Sequence, residues 1–100
     1  IMDSKEYSWK WITADELLSH GPCELVSISQ TSSDDTSDAT FYDGEDASGR
    51  TILKLEALAN RTAFAKWNVP VYCRRGLYVD VGSNVTGILV QWRELGKKAS

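Results

Sequence analysis

The sequence is short of the residue types from which catalytic and metal centres are built. It holds one histidine, His20, and two cysteines, Cys23 and Cys73. A structural or catalytic zinc site draws on closely spaced cysteine and histidine ligands, and no Cys-x-x-Cys pair is present. No Gly-x-Ser-x-Gly elbow accompanies His20, and no Gly-rich loop of the kind that cradles phosphates occurs. No segment approaches the ~20 consecutive apolar residues of a membrane-spanning helix, so no membrane role is expected. Positions 1–6 are polar and lack the apolar centre of a signal peptide, and Ile1 ahead of Met2 reads as a processed or trimmed start. A basic stripe is also missing. The net charge is −3, and Arg74–Arg75 and Lys97–Lys98 are short, separated pairs. Counterion release from nucleic acid needs more than that, so no nucleic-acid partner is expected. These absences together predict no catalytic residue, no metal ligand and no cofactor.

What remains is an ordinary globular balance in 100 residues, with 42% hydrophobic and 25% charged side chains. That length makes one domain with one modest core. The pattern along the chain has a period of two, the signature of strands. Tyr7, Trp9 and Trp11 alternate with Ser8, Lys10 and Ile12. Three rings on one face must cover either the domain's own core or a neighbouring subunit. Thr13-Ala14-Asp15-Glu16 has the form of a capping box, which predicts one short helical turn ending at Gly21-Pro22, with His20 capping its last carbonyls.

Cys23–Gln30 reads as a strand with Val26 and Ile28 on one face and Leu25 and Ser27 on the other. The segment from Thr31 to Asp38 has no apolar side chain and reads as a mobile loop. Short strands are expected at Ala39–Tyr42, Thr51–Leu58, Thr62–Trp67, Val71–Arg74, Leu77–Val81 and Gly87–Leu95. Turns are expected at 43–49, at Asn60-Arg61 and at 82–84. Pro70 belongs at an edge or a strand start, because it cannot donate to a ladder. Trp67 and Trp92 read as core. The expectation is an all-β antiparallel β-sandwich or jelly-roll-like small barrel of seven or eight strands over residues 7–95, with polar tails at 1–6 and 96–100.

Three further features have bland readings beside functional ones. The two cysteines, both in apolar segments, read as buried thiols, with a disulfide between them left open. Six carboxylates fall within residues 34–46, a density that suits Ca²⁺ but with no EF-hand spacing; a solvated loop is the plainer reading. Asn60-Arg61-Thr62 and Asn84-Val85-Thr86 match the glycan-acceptor pattern but read as turns.

The order of several pieces resembles a family of small β-rich structural proteins of tailed-bacteriophage virions. The matching pieces are Ile12-Thr13-Ala14, Gly21-Pro22-Cys23-Glu24-Leu25-Val26-Ser27-Ile28, Phe41-Tyr42-Asp43, Ser48-Gly49, Ile52-Leu53-Lys54-Leu55 and Gly76-Leu77-Tyr78-Val79. They span the chain from about Trp11 to Trp92. The resemblance implies a sandwich or jelly roll, homo-oligomeric assembly and no enzymatic activity. It also implies the role of a capsid decoration (cement), head-associated or neck/tail accessory protein. On that reading the partners are the major capsid protein or other virion proteins. The place of action is the particle surface, after synthesis in the host bacterial cytoplasm. The Trp-rich start and the stretch Val69–Arg75 depart from the family pattern. They supply the candidate partner-binding residues Tyr7, Trp9, Trp11, Tyr72, Arg74 and Arg75. A carbohydrate-binding module using exposed tryptophans is the alternative. A small enzyme anchored on His20 is the weakest of the three readings.

Overall fold

A computed structural model describes residues 7–95; the expected tails at 1–6 and 96–100 lie outside the described residues. Eight strands follow one another: β1 (Ser8–Ile12), β2 (Glu16–Ser19), β3 (Cys23–Ser32), β4 (Ser37–Asp43), β5 (Arg50–Ala57), β6 (Thr62–Cys73), β7 (Leu77–Val81) and β8 (Val85–Glu94). They form two four-stranded sheets, in the orders β1-β8-β3-β6 and β2-β7-β4-β5. Every pairing is antiparallel. Of the seven connections, the β4–β5 hairpin alone stays within a sheet, and each of the others crosses to the opposite layer. This alternation is the strand order of a jelly roll, in which two Greek keys wrap a two-layer sandwich.

The core lies between the layers. Leu25, Ile28, Ile88 and Val90 from the first sheet meet Phe41, Leu77 and Val79 from the second, all at 0–1% exposure. Near-complete burial of a Leu, Ile or Phe is worth ~1.5–3 kcal/mol each, which makes this cluster the main source of stability. Cys23 and Cys73 join it as direct cross-strand partners, both fully buried free thiols. The hydrogen bond to Cys23 and the surrounding burial push the Cys73 thiol above the usual range.

Three local readings of the sequence are corrected by the packing. The helical turn is absent: residues 13–15 bend and Glu16–Ser19 pairs with β7 as a strand. A single turn of helix fixes several dihedrals for one hydrogen bond. Here the cap-like residues have other partners, since Asp15 Oδ1 accepts the Val81 amide at 2.7 Å and Glu16 pairs with Lys10. His20, freed of any helix end to cap, is exposed in the β2–β3 turn, 3.9 Å from Glu45.

In β3 the register shifts between Leu25 and Ser27, so Leu25 and Ile28 are both buried and Val26 occupies a bulge. A bulge breaks strict alternation, which is why the expected pairing of Val26 with Ile28 on one face fails. The same shift leaves residues 67–70 of β6 opposite that bulge, with Pro70 among them. Edge strand β6 thereby runs unbroken through a proline, and Val71–Cys73 is its end rather than a separate strand.

The polar segment from Thr31 to Asp38 is ladder at both ends, since β3 extends to Ser32 and β4 begins at Ser37, and only residues 33–36 remain as a loop. Ser32 and Ser37 are buried beside Gln30. Ser32 Oγ donates to the Ala57 carbonyl at 3.0 Å, so the 2.5 Å contact between the two hydroxyls has Ser37 as donor. Gln30 Nε2 donates to Ser37 Oγ and to the Leu55 carbonyl, each at 3.1 Å. A sequence stretch without apolar residues is thus held inside by its own hydrogen bonds, and it ties β3 of one sheet to β5 of the other.

Candidate functional site

The two outer faces of the sandwich differ in chemistry. On the β2-β7-β4-β5 sheet the outward residues include Thr40, Tyr42, Tyr78 and Asp80, with Lys54 paired to Asp38. The Tyr42 and Tyr78 rings lie 6.3 Å apart. Desolvation, then the nearby Asp15 carboxylate, raises the Asp80 carboxyl above its ordinary value.

The outer face of the other sheet is aromatic at both edges and, apart from Leu89, polar in the middle. Register fixes the arrangement. Trp11 on β1 stands opposite Leu89 on β8, Leu89 opposite Ser29 on β3, and Ser29 opposite Phe64 on β6. One step along, Trp9, Gln91, Ser27 and Lys66 form a second row. A third contains Arg93, Glu24 and Tyr72. Ser27 Oγ donates to Gln91 Oε1 at 2.6 Å, and Arg93 Nη2 donates to Glu24 Oε1 at 2.7 Å, so the polar centre is internally bonded. Trp9, Phe64 and Tyr72 are 68%, 74% and 58% exposed.

Trp11 is the most firmly seated of these rings. A Cβ on Gly87 would fall 2.0 Å from Trp11 Cζ2 and 2.2 Å from Cε2. The indole therefore lies over the glycine where any other residue would project, with about half its surface still open. An aromatic ring covering a strand glycine shields its backbone and fixes the ring against the sheet.

The alternation at positions 7–12 thus exists, but its sense is that of an outward aromatic face. Ile12, at 2% exposure, points to the core, while Trp9 and Trp11 point away from it. Two tryptophans outside and one isoleucine inside is the reverse of a strand that serves only its own domain. Trp92 is buried as expected, and Trp67, partly buried, packs against the core from the stretch of β6 opposite Val26.

The candidate partner residues do not form one patch. Trp9, Trp11 and Tyr72 share the outer face, at its opposite edges, about 14 Å apart for three strand spacings. Tyr7 precedes β1 and is half-buried. Arg74 and Arg75 lie off the face, in the β6–β7 turn at one end of the sandwich. Phe64 and Leu89 belong to the face and were not among the residues singled out from sequence. Their signal was present in Thr62, Phe64 and Lys66 alternating with Ala63 and Ala65, but on an edge strand the larger set is the outward one.

The acidic stretch at 34–46 is dispersed rather than gathered. Asp38 accepts the Ser83 amide, Asp43 accepts the Arg74 and Arg75 amides, and Asp46 accepts from Ser48. Those Ser48 bonds hold the Asp46 carboxyl below its ordinary value. Among the described residues no group of three or more histidine, cysteine or acidic side chains is placed to share a metal ion.

No family model, no curated protein and no solved structure matches this chain.

Proposed function

We propose that this chain is a binding and structural component of a virus particle. The reading is of a tailed-phage virion protein of the capsid-decoration or head-associated kind, attached through the outer face of the β1-β8-β3-β6 sheet. The observation that carries the reading is that face: Trp9, Trp11, Phe64 and Tyr72 are exposed on an internally bonded sheet that the domain itself leaves uncovered. Large aromatics of this kind are the usual anchors of protein interfaces, and a polar surround that excludes water accompanies them. The jelly roll supports the reading only as a fold shared by viral capsid domains, lectins and cupins, since a fold of this breadth does not define function. The motif order noted above supports it independently.

Each edge of the sheet also offers unpaired ladder groups, at β1 and at β6, and assembly against a shell or a neighbouring copy covers such edges. The test is co-sedimentation of purified chain with particles of the encoding virus that lack it, alongside mass photometry of the chain alone. Saturable binding that Trp9→Ala and Trp11→Ala together abolish supports the reading. A folded chain that stays monomeric and ignores the particles overturns it.

A carbohydrate-binding role is the second reading, favoured by one observation. Trp11 rests on Gly87 and keeps an open surface, and the cross-strand neighbour of Gly87 is Thr31, whose hydroxyl pairs with that of Thr62. Stacking rings next to hydrogen-bonding groups suit a sugar. Glycan-array binding that disappears with Trp11→Ala would favour it over the virion reading.

A further inference from the structure

At one end of the sandwich, two turns are locked together by their backbones. Asp43, the last residue of β4, uses both carboxylate oxygens to accept the amides of Arg74 (3.1 Å) and Arg75 (2.8 Å). The Gly44 amide donates to the Gly76 carbonyl at 3.3 Å. Gly76, at φ 154°, sits so tightly that a Cβ there would lie 2.6 Å from the Ser19 carbonyl and 2.8 Å from that of Gly44. Gly49 packs as closely on the Asp43 carbonyl, which folds the β4–β5 turn back over the end of β4.

Between these turns runs a cleft of about 330 Å³, lined by Asp43, Ser48, Gly49, Arg50, Arg74 and Arg75. Arg50 is the cross-strand partner of Asp43, so three guanidinium-bearing residues from two turns border one hollow. Among the described residues none of the three arginine side chains has an ion-pair or hydrogen-bond partner, while Lys10, Lys54 and Arg93 each have a carboxylate. The acids at 43–46 are otherwise engaged. Asp43 holds two backbone amides, Asp46 is bound to Ser48, and Glu45 faces His20.

We propose that this cleft is a binding site for a small multivalent oxyanion of the phosphate class, held by Arg50, Arg74 and Arg75. Guanidinium groups present paired N–H donors that match phosphate oxygens, and they remain charged at any accessible pH. In a chain of net charge −3, the lining of this one cleft carries three guanidinium groups against the single carboxylate of Asp43. Asp43 acts as the positioning residue: it fixes the backbone of both following arginines and places their side chains at the cleft mouth. The site stands apart from the aromatic face, and the virion reading can fail while this one holds.

The experiment is a ¹⁵N–¹H titration of the folded chain with inorganic phosphate at constant ionic strength, with sodium chloride as the control. The expected result is saturable shifts confined to the amides of Ser48, Gly49, Arg74, Arg75 and Gly76. Arg50→Ala and Arg75→Ala should each weaken binding about tenfold, the effect of losing one charge-assisted pair. Arg75→Lys should recover part of the loss, and Arg61→Ala, at the opposite end, none. Each variant's dispersed spectrum reports that it is folded. Equal shifts with chloride, shifts that never saturate, or unchanged affinity in both Arg→Ala variants overturns the proposal.

Discussion

Replacing Gly87 with alanine tests the seating of Trp11 directly. The added Cβ would lie 2.0–2.7 Å from three atoms of the indole, a distance no pair of carbons sustains. The ring is a side chain on edge strand β1, so it can move where backbone cannot, and the strand pairing itself need not break. The cost is the contact the ring gives up. Trp11 is 48% exposed, so about 100 Å² of a large aromatic surface is at stake, worth ~2.5 kcal/mol as a ceiling at ~25 cal/mol per Å². Part of that contact survives as the ring swings aside, and alanine is better suited to a strand than glycine by ~0.5–1 kcal/mol. The net expectation is a loss of ~1–2 kcal/mol.

The diagnostic quantity is the coupling. In a Trp11→Ala background the clash has no partner, so Gly87→Ala should there be neutral or stabilising by up to ~1 kcal/mol. Urea unfolding followed by circular dichroism, on wild type, both single variants and the double variant, measures all four corners of the cycle. A coupling energy near 2 kcal/mol is the expected outcome. If Gly87→Ala costs the same with and without Trp11, the ring does not rest on the glycine and the reasoning is refuted.

Three other outcomes follow from the same geometry. Ser37→Ala removes both the acceptor of Gln30 and the donor to Ser32 inside the buried network, and should destabilise by ~1–3 kcal/mol in urea unfolding. Native protein should show neither Cys23 nor Cys73 to a thiol reagent, and both on unfolding, because each is fully buried; rapid labelling of the folded chain would contradict the core placement. Asp80, whose carboxyl is raised by desolvation and by Asp15, stabilises the fold fully only below its unfolded pKa, and that contribution is lost as pH rises through the raised folded value. Asp80→Asn should therefore raise the melting temperature modestly at pH 7 and leave it unchanged near pH 3.

The overall architecture was readable from the sequence because the regular strands keep their period. Leu77, Val79 and Val81 against Tyr78 and Asp80, or Ile88, Val90 and Trp92 against Leu89, Gln91 and Arg93, announce two faces without help from tertiary structure. What was hidden depends on pairing between distant segments. The bulge at Val26 is invisible locally because it arises from pairing with β8, where Leu25 faces Trp92 and Ser27 faces Gln91 with no residue left for Val26. Ser32 and Ser37 looked like loop because their burial is made tolerable by Gln30 and by carbonyls of β5, some twenty residues on. Thr13–Glu16 mimicked a helix cap whose groups turned out to serve β7 and β1. The aromatic face was half legible. Alternation placed Trp9 and Trp11 together, but only the register of four strands sets Leu89, Ser29 and Phe64 in line with Trp11 and moves Arg74 and Arg75 to another surface beside Arg50.

The central proposal is that the β1-β8-β3-β6 face is the surface by which this domain attaches within a particle. Electron cryomicroscopy of purified particles of the encoding virus measures it most directly. The account predicts density for the sandwich with Trp9, Trp11 and Phe64 against the shell or a neighbouring copy. Particles without the chain, or a domain bound with that sheet turned to solvent, would contradict it.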